Sequence, residues 1–456
     1  MNRIVVIGGV AAGMSAASQA KRRDTQAEVI ALERGPYVSY GACGMPYNIG
    51  DSERDMQDLV VITPSQFQHK RGIDVRVHHE ALAIDTQTRR VKVHDHTASR
   101  DYELAYDQLV VATGASALKP PLAGIDLPGV FLLRELTDGE ALKSYIAHTD
   151  ARRAVIVGAG YIGMEMAEVL TQRGLAVTML ERAAQVLPGF EPVIADIVAD
   201  ALRRHGVQVV TGVGVTRIQR DDEQLTVYTD SKSVAADLVL VAVGVRPNVA
   251  LARTAGIVLG GTGAIAVDDH QRTNIAHVYA AGDCAEAYHR VLHKPVYIPL
   301  GTTANKQGKV AGANAAGADQ VFAGIVGSAA FKVFDLEVAR SGVGAAEIQQ
   351  HGLEVISSVS HHSSRGHHYA GATRITTVMF AARTSGKLVG AQMVGADTVA
   401  KRMDVLATAL HADMNLAQIE ALDLSYAPPF APVYDPILIA AGVTRKALTR
   451  AGEKKV

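Results

Sequence analysis

Tryptophan is absent from this chain, cysteine occurs only twice in 456 residues, and the charges nearly cancel, 45 Lys+Arg against 46 Asp+Glu. Two cysteines cannot build a disulfide framework, which points to a reducing compartment. A formal net charge of −1 supplies no field for nucleic acid or an anionic membrane. No apolar run approaches the length of about 18 residues that a spanning helix needs. The apolar residues 4–7 end at Gly8-Gly9, too short for a signal-peptide core. These absences predict a soluble, cytoplasmic protein with no nucleic-acid and no membrane partner. What is plentiful is glycine, 42 residues, as many tight strand-to-helix turns require. The length leaves room for two or three domains.

Ile4-Val5-Val6-Ile7 reads as a buried parallel strand, Gly8-Gly9-Val10-Ala11-Ala12-Gly13 as a turn, and residues 14–23 as a helix. Gly13 would let the helix pack close to the strand, and the N–H groups of the first helical turn can hold a pyrophosphate. The next strand, 28–32, leads to Glu33, placed to bind a ribose hydroxyl. Val10 stands where the second glycine of G-x-G-x-x-G belongs, so this match alone also fits an ordinary βαβ turn. A second unit is complete. Residues 154–157 lead into Gly158-Ala159-Gly160-Tyr161-Ile162-Gly163, a helix over 165–173 follows, and strand 176–180 ends at Glu181. A carboxylate at Glu181 would repel a 2′-phosphate and favours NADH, a preference that Arg182 softens. Residues 107–114 and 237–244 are apolar strands ending in Gly114 and Gly244, one per nucleotide unit. Residues 273–283 end in Gly282-Asp283, which sets a carboxylate where it can accept from a sugar-alcohol hydroxyl.

Cys43 lies in Ser39-Tyr40-Gly41-Ala42-Cys43-Gly44-Met45-Pro46-Tyr47-Asn48-Ile49-Gly50. Residues 39–42 read as a turn and 45–49 as a short helix, since proline is tolerated in a first turn. At that N-terminus Cys43 would meet backbone N–H groups and a positive dipole end, lowering its pKa. No partner follows: Asn48 sits where a C-x-x-x-x-C motif would put one. The other cysteine, Cys284, reads as a small packing residue. The oxidised resting form of Cys43 must then be a mixed disulfide, a persulfide or a sulfenic acid.

On these residues the chain resembles the FAD-dependent pyridine nucleotide-disulfide oxidoreductases over nearly its full length. Within them it is similar to the single-cysteine branch, which holds coenzyme A-disulfide reductases, NADH-dependent persulfide or polysulfide reductases, NADH oxidases and NADH peroxidases. The resemblance implies an α/β fold class with two Rossmann-like dinucleotide-binding domains (glutathione-reductase-like) plus an α+β C-terminal dimerisation domain. Its implied boundaries are 1–118 and 245–324 for a discontinuous FAD-binding domain, 119–244 for the NAD(P)H-binding domain and 325–456 for dimerisation. It implies FAD on Gly8, Ala11, Ala12, Gly13, Glu33, Arg34, Thr113, Gly114, Asp283 and Ala304. It implies NADH or NADPH, the electron donor, on Gly158, Gly160, Tyr161, Ile162, Gly163, Glu165, Glu181 and Gly244. Tyr161 would cover the flavin face and swing aside for the nicotinamide, and Glu165 would contact the carboxamide.

The oxidases and peroxidases of this branch carry a histidine inside the first glycine turn, where this chain has Ala11. Without that acid a sulfenate is less well held, so oxygen and peroxide chemistry is disfavoured and the resemblance leans to the coenzyme A-disulfide reductases. Those imply a homodimer whose active site is shared, with Tyr369 and Tyr426 of one subunit acting at the sulfur of the other. A tyrosine hydroxyl there would protonate the departing thiolate. They also imply a coenzyme A site at Ser15, Gln19, Arg22, Ser39 and Arg71. Two departures weaken the grip on a phosphate-rich substrate: Ala42 replaces an asparagine and Tyr434 a basic residue. A polysulfide or another small disulfide therefore stays open as the acceptor. So does a flavin-bound redox sensor, although no appended binding or rhodanese-like domain is read to favour it. His361, His362, His367 and His368 lack regularly spaced acidic or cysteine partners, so no metal site is expected and a polar loop near the dimer interface is.

Overall fold

The computed structural model of the chain describes residues 2–222 and 224–453. Its first sheet orders short strands as Val278–Ala280, Gln108–Val111, Arg3–Ile7, Glu28–Glu33, Ile73–Val77, apolar and buried on both faces except at the Ile73–Val77 edge. Every neighbour pair is parallel. A second all-parallel sheet repeats the plan, in the order Gln208–Val210, Ala176–Leu180, Arg153–Val157, Leu238–Val241, Val130–Phe131. Strands this uniformly apolar are stable only with helices covering both faces. The third sheet is antiparallel and orders Ala329–Val333, Leu336–Gly342, Leu388–Gly395, Arg374–Ala382, Val355–Ser363. Helices Val399–His411 and Pro436–Glu453 pack on it. Two Rossmann-like α/β units and an α+β unit are the architecture that the resemblance implied.

The first unit gathers distant segments. Its last strand comes from beyond residue 270, and the Gly301–Ala315 helix packs along the Ala11–Arg23 helix. Small residues make that approach possible: a Cβ on Gly308 would lie 2.2 Å from the Ala12 carbonyl oxygen, and one on Gly312 would lie 2.1 Å from that of Ala16. The chain passes between the two units twice, and the two crossings pair as antiparallel strands, Ala115–Ala117 with Val245–Pro247. The second and third units share one core, in which Met164, Met166 and Leu170 join Phe331, Val333 and Val338.

Two helices begin earlier than the sequence reading placed them. The first starts at Ala11 rather than residue 14, and the second at Tyr161 rather than residue 165. The physical reason is that each glycine turn feeds straight into helix, so the turn's own residues are the first helical turn. His361 and His362 also depart from the expected loop: they close the Val355–Ser363 strand, paired with Thr376 and Ile375. Strand pairing satisfies their backbone, which a loop would leave to water. No helix among the described residues is long and apolar enough to cross a membrane.

Candidate active site

The two glycine turns are near copies. Gly8 and Gly158 have φ of 118° and 108°, in the region that favours glycine. A Cβ on Gly13 would fall 1.8 Å from the Gly8 carbonyl oxygen, and one on Gly163 would fall 2.2 Å from that of Gly158. So the third glycine of each turn allows helix and strand to touch. The terminal acids also match. Glu33 accepts from the N–H groups of Gly9 and Gly35 at 2.8 Å each. Glu181 accepts from Ala159 at 2.8 Å and Ala183 at 2.7 Å. Each acid thus holds its own turn in shape. Burial pushes the Glu33 carboxyl up, and the two amide bonds pull it back down.

Dinucleotides fit these cradles. The helices beginning at Ala11, Tyr161 and Gly301 have no side-chain cap and no acid in the first turn. Some helices elsewhere are capped by a side chain, as by Thr63 and Asn415. Uncapped N–H groups beside open space are anion sites, and a Cβ on Gly160, Gly301, Gly114 or Gly244 would meet nothing within 4 Å. Thr113 donates from its hydroxyl to the Asn248 carbonyl at 2.7 Å, which fixes the Gly114 turn. Ala304 is buried one turn into its helix, its methyl close to where a Cβ on Gly282 would lie. Ala12 is buried beside it, Ala11 is half-buried and Ile162 packs on the second unit's core. Arg34 pairs with Glu135 on the surface.

Cys43 is exposed, in a one-turn helix Ala42–Gly44 that runs into the Met45–Gly50 helix. The expected lowering of its pKa is overturned. Partial burial pushes the thiol up first, the Glu165 carboxylate adds to this, and Arg134 works against it. A helix of six residues has little dipole to offset two carboxylates, Glu165 and Asp283. Arg134 escaped the sequence reading. Its guanidinium donates to Asp283 at 2.6 Å and to the Ala115 carbonyl at 2.9 Å, so Asp283 has a cation beside it. A lone acid at a cofactor turn signals that a counter-charge is needed, but not which arginine supplies it. Cys284 is fully buried, its sulfur 3.5 Å from the Val111 carbonyl oxygen, and burial pushes its thiol up.

Glu165 sits on the second fingerprint helix, half-buried, and accepts from the Tyr47 hydroxyl at 2.9 Å. Burial pushes its carboxyl up, and the Tyr47 bond opposes this. Tyr161 tilts against Phe331 with ring centroids 5.0 Å apart, and lines a cavity of about 660 Å³ together with Tyr297, Leu300, Gly327 and Arg340. The Tyr297 hydroxyl in that cavity is buried and unpartnered within the chain, as a group awaiting a polar ligand would be.

Tyr369 and Tyr426 are both exposed, on two loops that touch: the Gly366 N–H donates to the Pro428 carbonyl at 3.0 Å. Arg402, buried, clamps both loops, donating to the Ser364 carbonyl at 2.9 Å and to Asp435 at 2.9 Å. Sequence reasoning missed this arginine because it lies inside an otherwise ordinary amphipathic helix. Tyr434 is exposed beside Phe430 and Val433, also exposed. His367 and His368 lie against each other, ring centroids 3.9 Å apart, near these loops in sequence. Of the residues assigned to coenzyme A, Ser15, Gln19 and Arg22 share the first fingerprint helix, where Arg22 donates to Gln19 at 2.9 Å and Ser15 to Asn305 at 2.7 Å. Arg71 reaches the same helix through Ser18 at 2.8 Å. Ser39 has φ of 50°, and its N–H donates to the Gly9 carbonyl, which ties the cysteine segment to the first turn. Ala42 is half-buried beside Cys43.

Residues 2–308 match the family described as Pyridine nucleotide-disulphide oxidoreductase, and residues 328–436 match its dimerisation domain. The chain is 37% identical over 443 residues to an "NAD(P)H sulfur oxidoreductase (CoA-dependent)" of Pyrococcus abyssi, covering 97% of this chain and 98% of the relative. It is 34% identical over 448 residues to an "NADH oxidase" of Methanocaldococcus jannaschii, covering 98% and 99%. Among solved structures it is similar to a NAD-dependent persulfide reductase from A. fulgidus, with a TM-score of 0.95 and 39% identity, over 99% of this chain and 84% of that one.

Proposed function

The chain belongs to the pyridine nucleotide-disulphide oxidoreductases, and from that premise we propose that it is a flavoprotein reductase passing electrons from NAD(P)H through FAD to Cys43. Its acceptor is coenzyme A disulfide or a related small disulfide or persulfide. The observation that carries this reading is the solitary, exposed Cys43, with the second cysteine fully buried. One accessible sulfur cannot close an internal disulfide, so its partner sulfur must come from a small molecule. The Pyrococcus relative's name, with coenzyme A in it, supports the substrate class.

The first glycine turn, Asp283 and the Gly301–Ala315 helix would hold FAD, which when bound would supply hydride acceptance from NAD(P)H and an electron pair for sulfur. The chain's own residues do the rest. The Cys43 thiolate attacks one sulfur of the substrate disulfide, forming a mixed disulfide and releasing one thiolate. Two electrons then cleave the mixed disulfide, restoring the Cys43 thiolate and releasing the second thiol. Tyr426 of the partner subunit protonates the departing sulfur, and Tyr369 stands beside it. Arg134 offsets the thiolate charge. Ser15, Gln19, Arg22, Ser39 and Arg71 hold the nucleotide end of coenzyme A. The working unit is a cytoplasmic homodimer, with residues 1–118 and 245–324 binding FAD, 119–244 binding NAD(P)H and 325–456 dimerising. Glu181 favours NADH.

A second acceptor, a polysulfide or persulfide, is favoured by Ala42 and Tyr434, where an amide and a cation for phosphates are missing. Anaerobic NADH consumption tests both, with coenzyme A disulfide, coenzyme A persulfide and polysulfide offered separately to wild type and Cys43→Ser. Turnover with one of them that vanishes in the variant is expected. Consumption only once air is admitted would overturn the reading and restore the oxidase one.

A further inference from the structure

Asn48 stands where a second cysteine would complete a C-x-x-x-x-C motif, and the structure gives it another task. It is buried, and both ends of its amide are engaged. Nδ2 donates to the Asp55 carbonyl at 2.8 Å, and Oδ1 accepts from the Lys143 ammonium at 2.9 Å. The same ammonium donates to the Asn48 carbonyl at 2.9 Å, to the Asp51 carbonyl at 2.7 Å and to the Arg54 carbonyl. All four acceptors are neutral carbonyl-type oxygens. Those of Asn48 and Asp51 lie at the C-terminal end of the Met45–Gly50 helix, where the last carbonyls lack partners within a helix. An oxygen shell is what a hard cation takes, and an ammonium fills this one with three donors and no acceptor. Lys143 comes from the Leu136–His148 helix, and Gly139 lies four residues before it on the same face. A Cβ on Gly139 would fall 3.1 Å from the Met56 methyl and 3.4 Å from the Met45 sulfur. The bare backbone there lets the cysteine segment lie close, and Lys143 ties it down one turn later. The turn that carries the cysteine, Ala42–Gly44, runs straight into the helix held in this way.

We propose that Lys143 is a positioning residue for Cys43: its ammonium takes the place of a bound monovalent cation, gathers the oxygens of residues 48–54 and so holds the helix behind the cysteine against Leu136–His148. This rests on the reading of Cys43 as the redox thiol. It adds that the position a second cysteine would occupy is given to an anchor instead. Without the ammonium, four oxygens face one another with no donor between them. A six-residue helix is too short to stand alone, so its end opens and the cysteine turn loosens with it.

The test needs no sulfur acceptor. Flavin-loaded, dithiothreitol-reduced Lys143→Ala is compared with wild type at one pH, by amide hydrogen exchange over residues 43–55 and by the rate at which iodoacetamide alkylates Cys43. Exchange over 45–55 should quicken by about tenfold, as loss of a charge-assisted hydrogen bond implies, and alkylation by about threefold or more. Methylammonium chloride, whose cation fits the space the side chain leaves, should bring both rates back toward wild type. Tetramethylammonium chloride at the same concentration should not. Lys143→Met keeps the stem and fills that space, so it should show the same quickening with no response to methylammonium. It also decides the matter should the alanine variant fail to retain flavin. Unchanged exchange in Lys143→Met overturns the proposal. So does quickened exchange with Cys43 alkylated at the wild-type rate, and so does a flavin-loaded Lys143→Ala that answers neither salt or both alike. Since no substrate is turned over, failure here is distinct from failure of the reductase assignment, which the acceptor series decides.

Discussion

Cys43 is where a single atom changes the chemistry of the whole chain. Replacing its sulfur by oxygen in Cys43→Ser removes the nucleophile and leaves the cradles intact. The variant should bind FAD and accept hydride once per flavin, seen as bleaching near the flavin absorbance maximum, yet lose all but background turnover with any sulfur acceptor. Arg134 can be read the same way. Arg134→Met removes the cation paired with Asp283, so the pH midpoint for alkylation of Cys43 by iodoacetamide should rise. His289 gives a residue-scale effect on stability. Burial holds its imidazole at a pKa of about 4, against an ordinary 6.5. The folded form therefore binds fewer protons than the unfolded one between those values, and stability is lost as pH falls from about 6.5 to about 4. The full difference is worth about 3 kcal/mol. Wild type should lose more melting temperature between pH 7 and pH 5 than His289→Gln does.

At the scale of elements, the close pairing of helices Ala11–Arg23 and Gly301–Ala315 depends on what glycine lacks. A side chain at Gly308 has no room against the Ala12 backbone. Gly308→Val should push apart the two helices proposed to hold FAD at their N-termini, and flavin content after purification should fall well below that of wild type. The Arg402–Asp435 pair is the corresponding device in the third unit, buried and tied to both tyrosine loops. Arg402→Met leaves Asp435 buried without its cation, a loss of about 3–5 kcal/mol, and should lower the melting temperature by several degrees. How much of this was legible in the chain follows physical lines. Strands over 4–7 and 176–180 and both glycine turns declare themselves because apolar runs, positive-φ glycines and a terminal acid are local signals. Tyr47, Arg134 and Arg402 stayed hidden because each acts on a group far away in sequence: 118 residues to Glu165, 149 to Asp283, 33 to Asp435. The direction of the cysteine's pKa was read with the wrong sign because the dipole of a nearby helix is visible in the sequence, whereas the burial of the sulfur, the main cause, and the carboxylate of a distant helix are not.

For the whole molecule, the exposed surface at Tyr369, Tyr426, Phe430, Val433 and Tyr434 is too apolar to be left to water in bulk. If the two tyrosines serve the partner's sulfur, activity per subunit should fall on dilution through the dimer dissociation range, tracked beside mass by sedimentation. Mixed dimers of Cys43→Ser and Tyr426→Phe chains should keep one intact site in two. An active isolated monomer would remove the shared-site reading.

The first sheet is closed by Val278–Ala280, and its leading helix is covered by Gly301–Ala315. A ribosome extends the chain from one end only. Until some 315 residues have been made, the opening strands have a bare edge and the opening helix an uncovered face. The whole second nucleotide unit, emerging in between, has all its strands by residue 241. Birth order and folding order are thus inverted: the part made first must wait for the part inserted into it, and flavin can be loaded only after both.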